Sequence, residues 1–231
     1  MEQRREAPMT EVERFRAQRD EIRRNPIKHM RKAFRMLPPM KEPRILDIGC
    51  GSGIPTLELA RLSQGEVIGI DIDQPALERL VRKIREVGLT SRVQALNCSM
   101  FDMDFQDESF GIIWAEGSIH EIGFATGLRQ WRRLMKKGGF LVIHDERGDV
   151  REKLAQIVES GYELVGHFAL DEATWWTEYF APLEILIKEY RTHCADDPEL
   201  LEELGQAQDD LDTFKQHSQS TTSAYFVMKK T

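Results

Sequence analysis

Gly49-x-Gly51-x-Gly53 is the first place in this chain where residue type and spacing point to chemistry. Missing side chains let the backbone turn tightly and let a ligand approach it closely. A dinucleotide-binding loop would read G-x-G-x-x-G, but Ile54 holds the position of its third glycine. Asp47, just ahead of the loop, would repel a diphosphate and attract a ligand carrying an ammonium and a sulfonium. It can also tie the turn by accepting amide hydrogen bonds, and the two roles are compatible. Gly69-Ile70-Asp71 sets another carboxylate 18 positions after Gly53, where it can accept both hydroxyls of a ribose. Ile72 offers an apolar face for a purine, and Asp73 suits the cap of a helix starting near Pro75.

A second group, Trp114-Ala115-Glu116-Gly117-Ser118-Ile119-His120-Glu121, follows a run of β-forming residues. His120 is the candidate general base, because an imidazole near pKa 6.5 can take a proton from a hydroxyl or amine at neutral pH. Glu121 is its candidate partner, and the alternative is a surface histidine satisfied by Glu116 or Glu121. Asp171 to Phe180, DEATWWTEYF, mixes rings with carboxylates. That composition can enclose a cationic or aromatic ligand, or anchor a helical segment by its rings. His144 and Asp145 lack a third ligand in register, so no metal is expected.

Positioning these residues requires strands ending at Asp47, Asp71 and Glu116. Short apolar runs predict strands over Arg44–Ile48, Glu66–Asp71, Val93–Asn97, Phe110–Glu116 and Phe140–Asp145. Helical patterns over Ile54–Leu62, Pro75–Val87 and Thr126–Lys137 fit right-handed crossovers between parallel strands. The fold class is α/β, a doubly wound, mostly parallel sheet with N-terminal helices and a helical insertion before the last strand. Thr10-Glu11-Val12-Glu13 reads as a capping box that opens a helix to about Arg24. Asn25-Pro26 starts a second helix with Ile27, Met30, Phe34 and Leu37 on one face. The domain reading is an N-terminal helical lid over 1–43 and a sheet domain over 44–231. Val150–Ser160 reads as a helix, Tyr162–Leu170 and Ser223–Lys229 as strands, and the insertion spans about 172–222, with helices at Leu183–Arg191 and Pro198–Phe214.

With 231 residues, 41% apolar and 31% charged, the chain fits one sizeable domain plus an appendage. The charged N-terminus and the lack of an apolar run of about 18 residues lead us to expect a cytoplasmic chain outside the membrane. Cys50, Cys98 and Cys194 form no paired motif and read as reduced thiols. The net charge of −7 disfavours a nucleic-acid substrate, although Met1–Pro43 carries twelve Lys and Arg against seven Asp and Glu. That basic end is either a solvated helix face or a surface meeting an anionic ligand. Its amphipathic helices can pack on their own domain or on a second chain, which leaves a homodimer open.

Four ordered segments resemble class I S-adenosylmethionine-dependent methyltransferases over Arg44 to about Asp145. ILDIGCGSGIPTLEL (Ile45–Leu59) is similar to their first motif, VIGIDID (Val67–Asp73) to their second, and NCSMFDMDFQDESF (Asn97–Phe110) to their third. RLMKKGGFLVIHD (Arg133–Asp145) resembles the small-molecule enzymes of the ubiquinone and menaquinone biosynthesis type, and Trp175–Tyr190 resembles uncharacterised bacterial members of that group. The resemblance implies that S-adenosylmethionine is held by Asp47, Gly49, Gly51, Gly53, Asp71, Ile72, Ser99, Met100 and the backbone of Glu116. Ser99 replaces the family's acidic adenine ligand, but it can still hydrogen-bond while Met100 packs on the ring. The segment after the fourth strand carries neither the Asn/Asp-Pro-Pro-aromatic sequence of nucleobase amino-methylation nor a Pro-Cys nucleophile. The function implied is methyl transfer to a small-molecule acceptor. The alternatives are an RNA or protein methyltransferase docking through the N-terminal helices, and a non-catalytic cofactor-binding subunit.

Overall fold

The computed structural model describes residues 9–146, 149–193, 197–216 and 223–231; Cys194 lies outside them. Thr10 opens α1 (Glu11–Ile22) with the expected reciprocal pair: Glu13 N donates to Thr10 Oγ1 at 3.2 Å, and Thr10 N to Glu13 Oε2 at 2.9 Å. Pro26 precedes α2 (Ile27–Phe34), which buries Met30 and Ala33. The core then alternates: β1 (Arg44–Ile48), α3 (Ile54–Ser63), β2 (Glu66–Asp71), α4 (Gln74–Glu86), β3 (Val93–Asn97), β4 (Phe110–Glu116), α5 (Phe124–Trp131) and β5 (Met135–Glu146). It continues through α6 (Val150–Glu159) and β6 (Tyr162–Leu170), α7 (Glu172–Trp175), a π-helical turn (Trp176–Phe180), α8 (Ala181–His193), α9 (Pro198–Gln216) and β7 (Ser223–Lys230).

The seven strands form one sheet in the order β3-β2-β1-β4-β5-β7-β6, in which β7 runs antiparallel to both its neighbours. The order reverses between β1 and β4, and their carboxyl ends make the crevice where such sheets bind ligands. Side chains alternate across the sheet. Leu46, Ile48, Ile70, Ile113, Ile143 and Phe226 pack on one face with Leu128 and Trp131 of α5 and Ile157 of α6. The opposite face carries Asp47 and Trp114, and Phe34 of α2 lies against Trp114 at 6.3 Å between ring centroids.

Two expectations need correction. The helix expected over Thr126–Lys137 ends at Trp131, and after a short 3-10 turn β5 begins at Met135, five residues before the expected strand. Met135 pairs with Phe110 across β4 and β5 and is fully buried, so tertiary burial overrides the helical reading of Leu-Met-Lys-Lys. The N-terminal boundary also differs. Contacts divide the chain into two compact units: one holds the described residues of Met1–Pro26 and Glu172–Gln219, the other Ile27–Asp171 with those of Ser220–Thr231. Thus α1 and α2 part at Pro26, not after Pro43, because α2 packs on β7 whereas α1 packs on α8 and α9.

In the helical unit Val12 and Phe15 of α1 share a core with Leu183 and Ile187 of α8 and Leu200, Leu204 and Leu211 of α9. Arg16 pairs with Glu203 and Glu199, at 2.6 and 3.0 Å, and Arg19 with Asp210 at 2.8 Å.

Candidate functional site

β1 delivers the glycine loop. Gly49 adopts φ +72, and a Cβ there would fall 2.4 Å from the Cβ of Ser118, so the loop after β1 lies directly against the loop after β4. Ser118 ties the two by donating from Oγ to Ile48 O at 2.7 Å. Gly51 adopts φ +51 with open space where a side chain would stand, and its amide donates to Asp71 Oδ2 at 2.7 Å. The other oxygen of Asp71 accepts from Asp73 N at 2.9 Å, and Asp73 caps α4 through Ala76 N at 3.0 Å. Gly53 supplies the left-handed turn that opens α3.

A cleft of about 340 Å³ opens over these loops, lined by Gly49, Asp71, Ile72, Ser99, Met100 and Phe101 on one side and by Gly117, Ser118, His120 and Glu121 on the other. Ile72 and Phe101 are 72% and 62% exposed, which leaves two apolar surfaces facing open space beside Asp71. Ser99 Oγ is engaged locally, accepting from Phe101 N at 3.2 Å. His120 Nε2 lies 3.1 Å from Glu121 Oε1, and both side chains are more than half exposed. Four expected residues, Asp47, Gly51, Gly53 and Glu116, are not in the lining and stand behind it.

Asp47 is buried and accepts from Thr56 Oγ1 at 2.6 Å. Burial pushes its carboxyl up to about 7, Asp71 adds to the rise, and the Thr56 hydrogen bond opposes it. Glu116 accepts from Trp114 Nε1 at 2.7 Å and shares a hydrogen bond with the Tyr225 hydroxyl. Burial likewise pushes it up to about 7, against the Trp114 bond and helped by the charge of Asp47. Two carboxyls behind the loops, each near its charging point at neutral pH, suit a cationic ligand. Their charged forms would disfavour a phosphate.

Residues 45–139 match the methyltransferase domain family model. Over that segment the chain resembles methyltransferases. It is 29% identical over 143 residues to the 27-O-demethylrifamycin SV methyltransferase of Amycolatopsis mediterranei, covering 59% of this chain and 53% of that one. Its identity to a sterol 24-C-methyltransferase of Aspergillus fumigatus is 26% over 103 residues, covering 44% and 27% of the two chains. The chain thus spans about half, or less, of these relatives' length. The same fold occurs in an S-adenosylmethionine-dependent methyltransferase of Geobacter sulfurreducens solved with S-adenosyl-L-homocysteine, with a TM-score of 0.70 at 19% identity over 99% of this chain and 94% of that one. Both of these relatives are named for small-molecule substrates; the narrower likeness to the ubiquinone and menaquinone type has only loose support among them.

The residue types around the cleft would fit S-adenosylmethionine. Asp71 could offer carboxylate oxygens to a ribose diol, Ile72, Met100 and Phe101 could offer faces to a purine, and Asp47 and Glu116 would supply negative charge behind the loops once ionised. Sequence reasoning named the segment Trp114 to Glu121 as a group without singling out Gly117 or Ser118, and it missed Phe101 in the lining and Thr56 and Tyr225 behind it. An aromatic directly after Ser99-Met100 was the available signal for Phe101. The contact to Tyr225 depends on strand order, for which a single sequence holds no signal. Cys98 also lines the cleft, and burial beside Asp102 raises its thiol, so it is not an activated nucleophile. Asp145 pairs with Lys153 at 2.7 Å and His144 Nε2 bonds Ser223 Oγ at 2.7 Å, which engages both residues weighed as metal ligands. Trp176 and Phe180 stack on Phe214, an anchoring contact within the helical unit.

Proposed function

We propose that this protein transfers a methyl group from S-adenosylmethionine to a small-molecule acceptor and releases S-adenosylhomocysteine. The observation that carries this reading is the cleft at the β1/β4 reversal, with Asp71 and its apolar neighbours on one side and His120 with Glu121 on the other. When bound, the cofactor supplies an electrophilic methyl on a sulfonium with an excellent leaving group, so alignment of donor and acceptor accounts for most of the catalysis. His120, oriented by Glu121, takes the proton that the acceptor loses, and Asp71 fixes the ribose. Named substrates of the relatives, a rifamycin precursor and a sterol, support an acceptor of that general class.

The basic N-terminal segment gives the nucleic-acid alternative little support, because Arg16 and Arg19 of α1 are neutralised by Glu199, Glu203 and Asp210. No helix among the described residues is long and apolar enough to cross a membrane. With the unpaired cysteine pattern, that fits the cytoplasmic placement we propose.

Calorimetric titration with S-adenosylmethionine and S-adenosylhomocysteine tests the donor side. Asp71→Ala is expected to weaken both by about 10- to 100-fold, since it removes charged hydrogen bonds worth roughly 1.5–3 kcal/mol. Unchanged affinity in a folded variant would refute the ribose placement. Turnover across a panel of small acceptors, read as S-adenosylhomocysteine release, tests the acceptor side; binding without turnover would favour a non-catalytic role.

A further inference from the structure

Glu116, His144, Tyr225 and Phe168 stand in register on β4, β5, β7 and β6, so their side chains share one face of the sheet. Tyr225 is clamped there. Its ring stacks on His144 at 4.3 Å and 10° and on Phe168 at 5.1 Å and 18°, and it is 2% exposed. A ring held on both faces cannot swing, so its hydroxyl has one direction, across His144 to the carboxyl of Glu116. Trp114, fully buried, donates to the same carboxyl from its own strand. Glu116 directly precedes Gly117, which lines the cofactor cleft and whose amide is tied to His144 O at 2.9 Å.

We propose that Tyr225 is a positioning residue of the cofactor site: it fixes the Glu116 carboxyl behind the Gly117–Ser118 wall of the cleft, so that a cation bound in the cleft draws that carboxyl into its charged form and capture expels a proton. The proposal rests on the cofactor assignment and adds a charge-coupled step to it. The charged and titratable groups facing Glu116 are Asp47 on β1, with Asp71 of β2 beyond it, Tyr225 on β7 and His144 on β5, which itself faces His29 of α2. His144 is driven down to about 3 by burial and by His29, so it stays neutral and contributes no charge. Tyr225 is pushed well above its ordinary range by burial and by Glu116, so it remains a donor. Glu116 is therefore part protonated at neutral pH before binding. A cation bound near it favours the carboxylate, and the O–H proton leaves to the buffer.

The experiment is calorimetric titration of the full chain with S-adenosylmethionine near pH 7, in two buffers of different protonation heat, and across pH 6 to 8.5. The wild type is expected to release a fraction of a proton per cofactor bound and to bind more tightly as pH rises. Glu116→Gln should release measurably less, the remainder coming from Asp47. Tyr225→Phe removes a donor that favours the carboxylate, so it should release more and move the rise in affinity to higher pH. Trp114→Phe, which removes the other donor, should move it in the same direction and serves if the tyrosine variant does not fold. Equal proton release by the wild type and Glu116→Gln would overturn the proposal. So would a Tyr225→Phe variant weakened by one factor at every pH, the mark of a purely structural residue. Binding without buffer dependence defeats this proposal alone, whereas no binding defeats the cofactor assignment and the proposal together.

Discussion

Asp47 and Glu116 charge at about 7 in the fold, against about 4 for an ordinary carboxyl, and for both the leading cause is burial. The folded chain therefore holds these protons more tightly than the unfolded chain does. Stability from the two groups is fully present below about pH 4 and is lost as pH rises through about 7. Between pH 6 and pH 8 each group is expected to cost about 1 kcal/mol, and one such step lowers the melting temperature of a chain this size by about 2–4 °C. Ligand-free melts should thus fall in temperature from pH 6 to pH 8, by less than the two carboxyls alone would give because His144, buried neutral, contributes a smaller opposing rise over the same interval, and Asp47→Asn should flatten that fall. A melting temperature that rises over this interval, or an Asp47→Asn profile parallel to the wild type, would contradict the placement of these charges. Asp47 was legible in the sequence as a carboxylate beside the loop. Its partner Thr56 was not, because the pairing depends on how α3 leaves Gly53.

The elements differ in how openly the sequence declares them. β1 to β4 are short runs bounded by turn residues whose bounds match expectation; β1, β2 and β4 are largely buried, as near-continuous apolar runs require, whereas β3 at the sheet edge keeps only Val93 buried. β5 was hidden at its start: Lys136, Lys137 and Gly138-Gly139 look like the end of a helix, yet Met135 is fixed by Phe110 on the neighbouring strand. The π-helical turn Trp176–Phe180 was legible only as composition, since its rings had two plausible uses. Its centre is Phe214 of α9, on which Phe180 stacks at 4.0 Å and Trp176 at 6.3 Å. Phe214→Ala is expected to cost the helical unit about 3–5 kcal/mol. Proteolysis should then open cleavage sites in α8 and α9 while the β1 to β5 segment stays resistant; unchanged protection of α8 and α9 would show that the stack carries little.

For the whole chain, the pairing of α1 with a segment nearly two hundred residues later could not be read from one sequence. Arg16 and Glu203 are 187 positions apart, and nothing local to either names the other. The doubly wound topology was legible because strand and helix alternate in register with the glycine loop, whereas the assignment of α1 awaited three-dimensional contacts. Hydrogen exchange tests the location of the cofactor over the whole molecule at once. Added S-adenosylhomocysteine is expected to slow exchange in three stretches, around Gly51, Asp73 and Phe101, and to leave α9 unchanged; protection centred elsewhere would relocate the site. The amides of Gly51 and Asp73 each occupy one oxygen of Asp71 before any ligand arrives. The carboxylate is therefore locked in a single rotamer, with a lone pair on each oxygen still available to a vicinal diol. Little conformational entropy remains to be lost there on association, which favours fast capture, and a 2′-deoxy analogue would forfeit one of two pre-aimed bonds without any loop rearrangement to compensate.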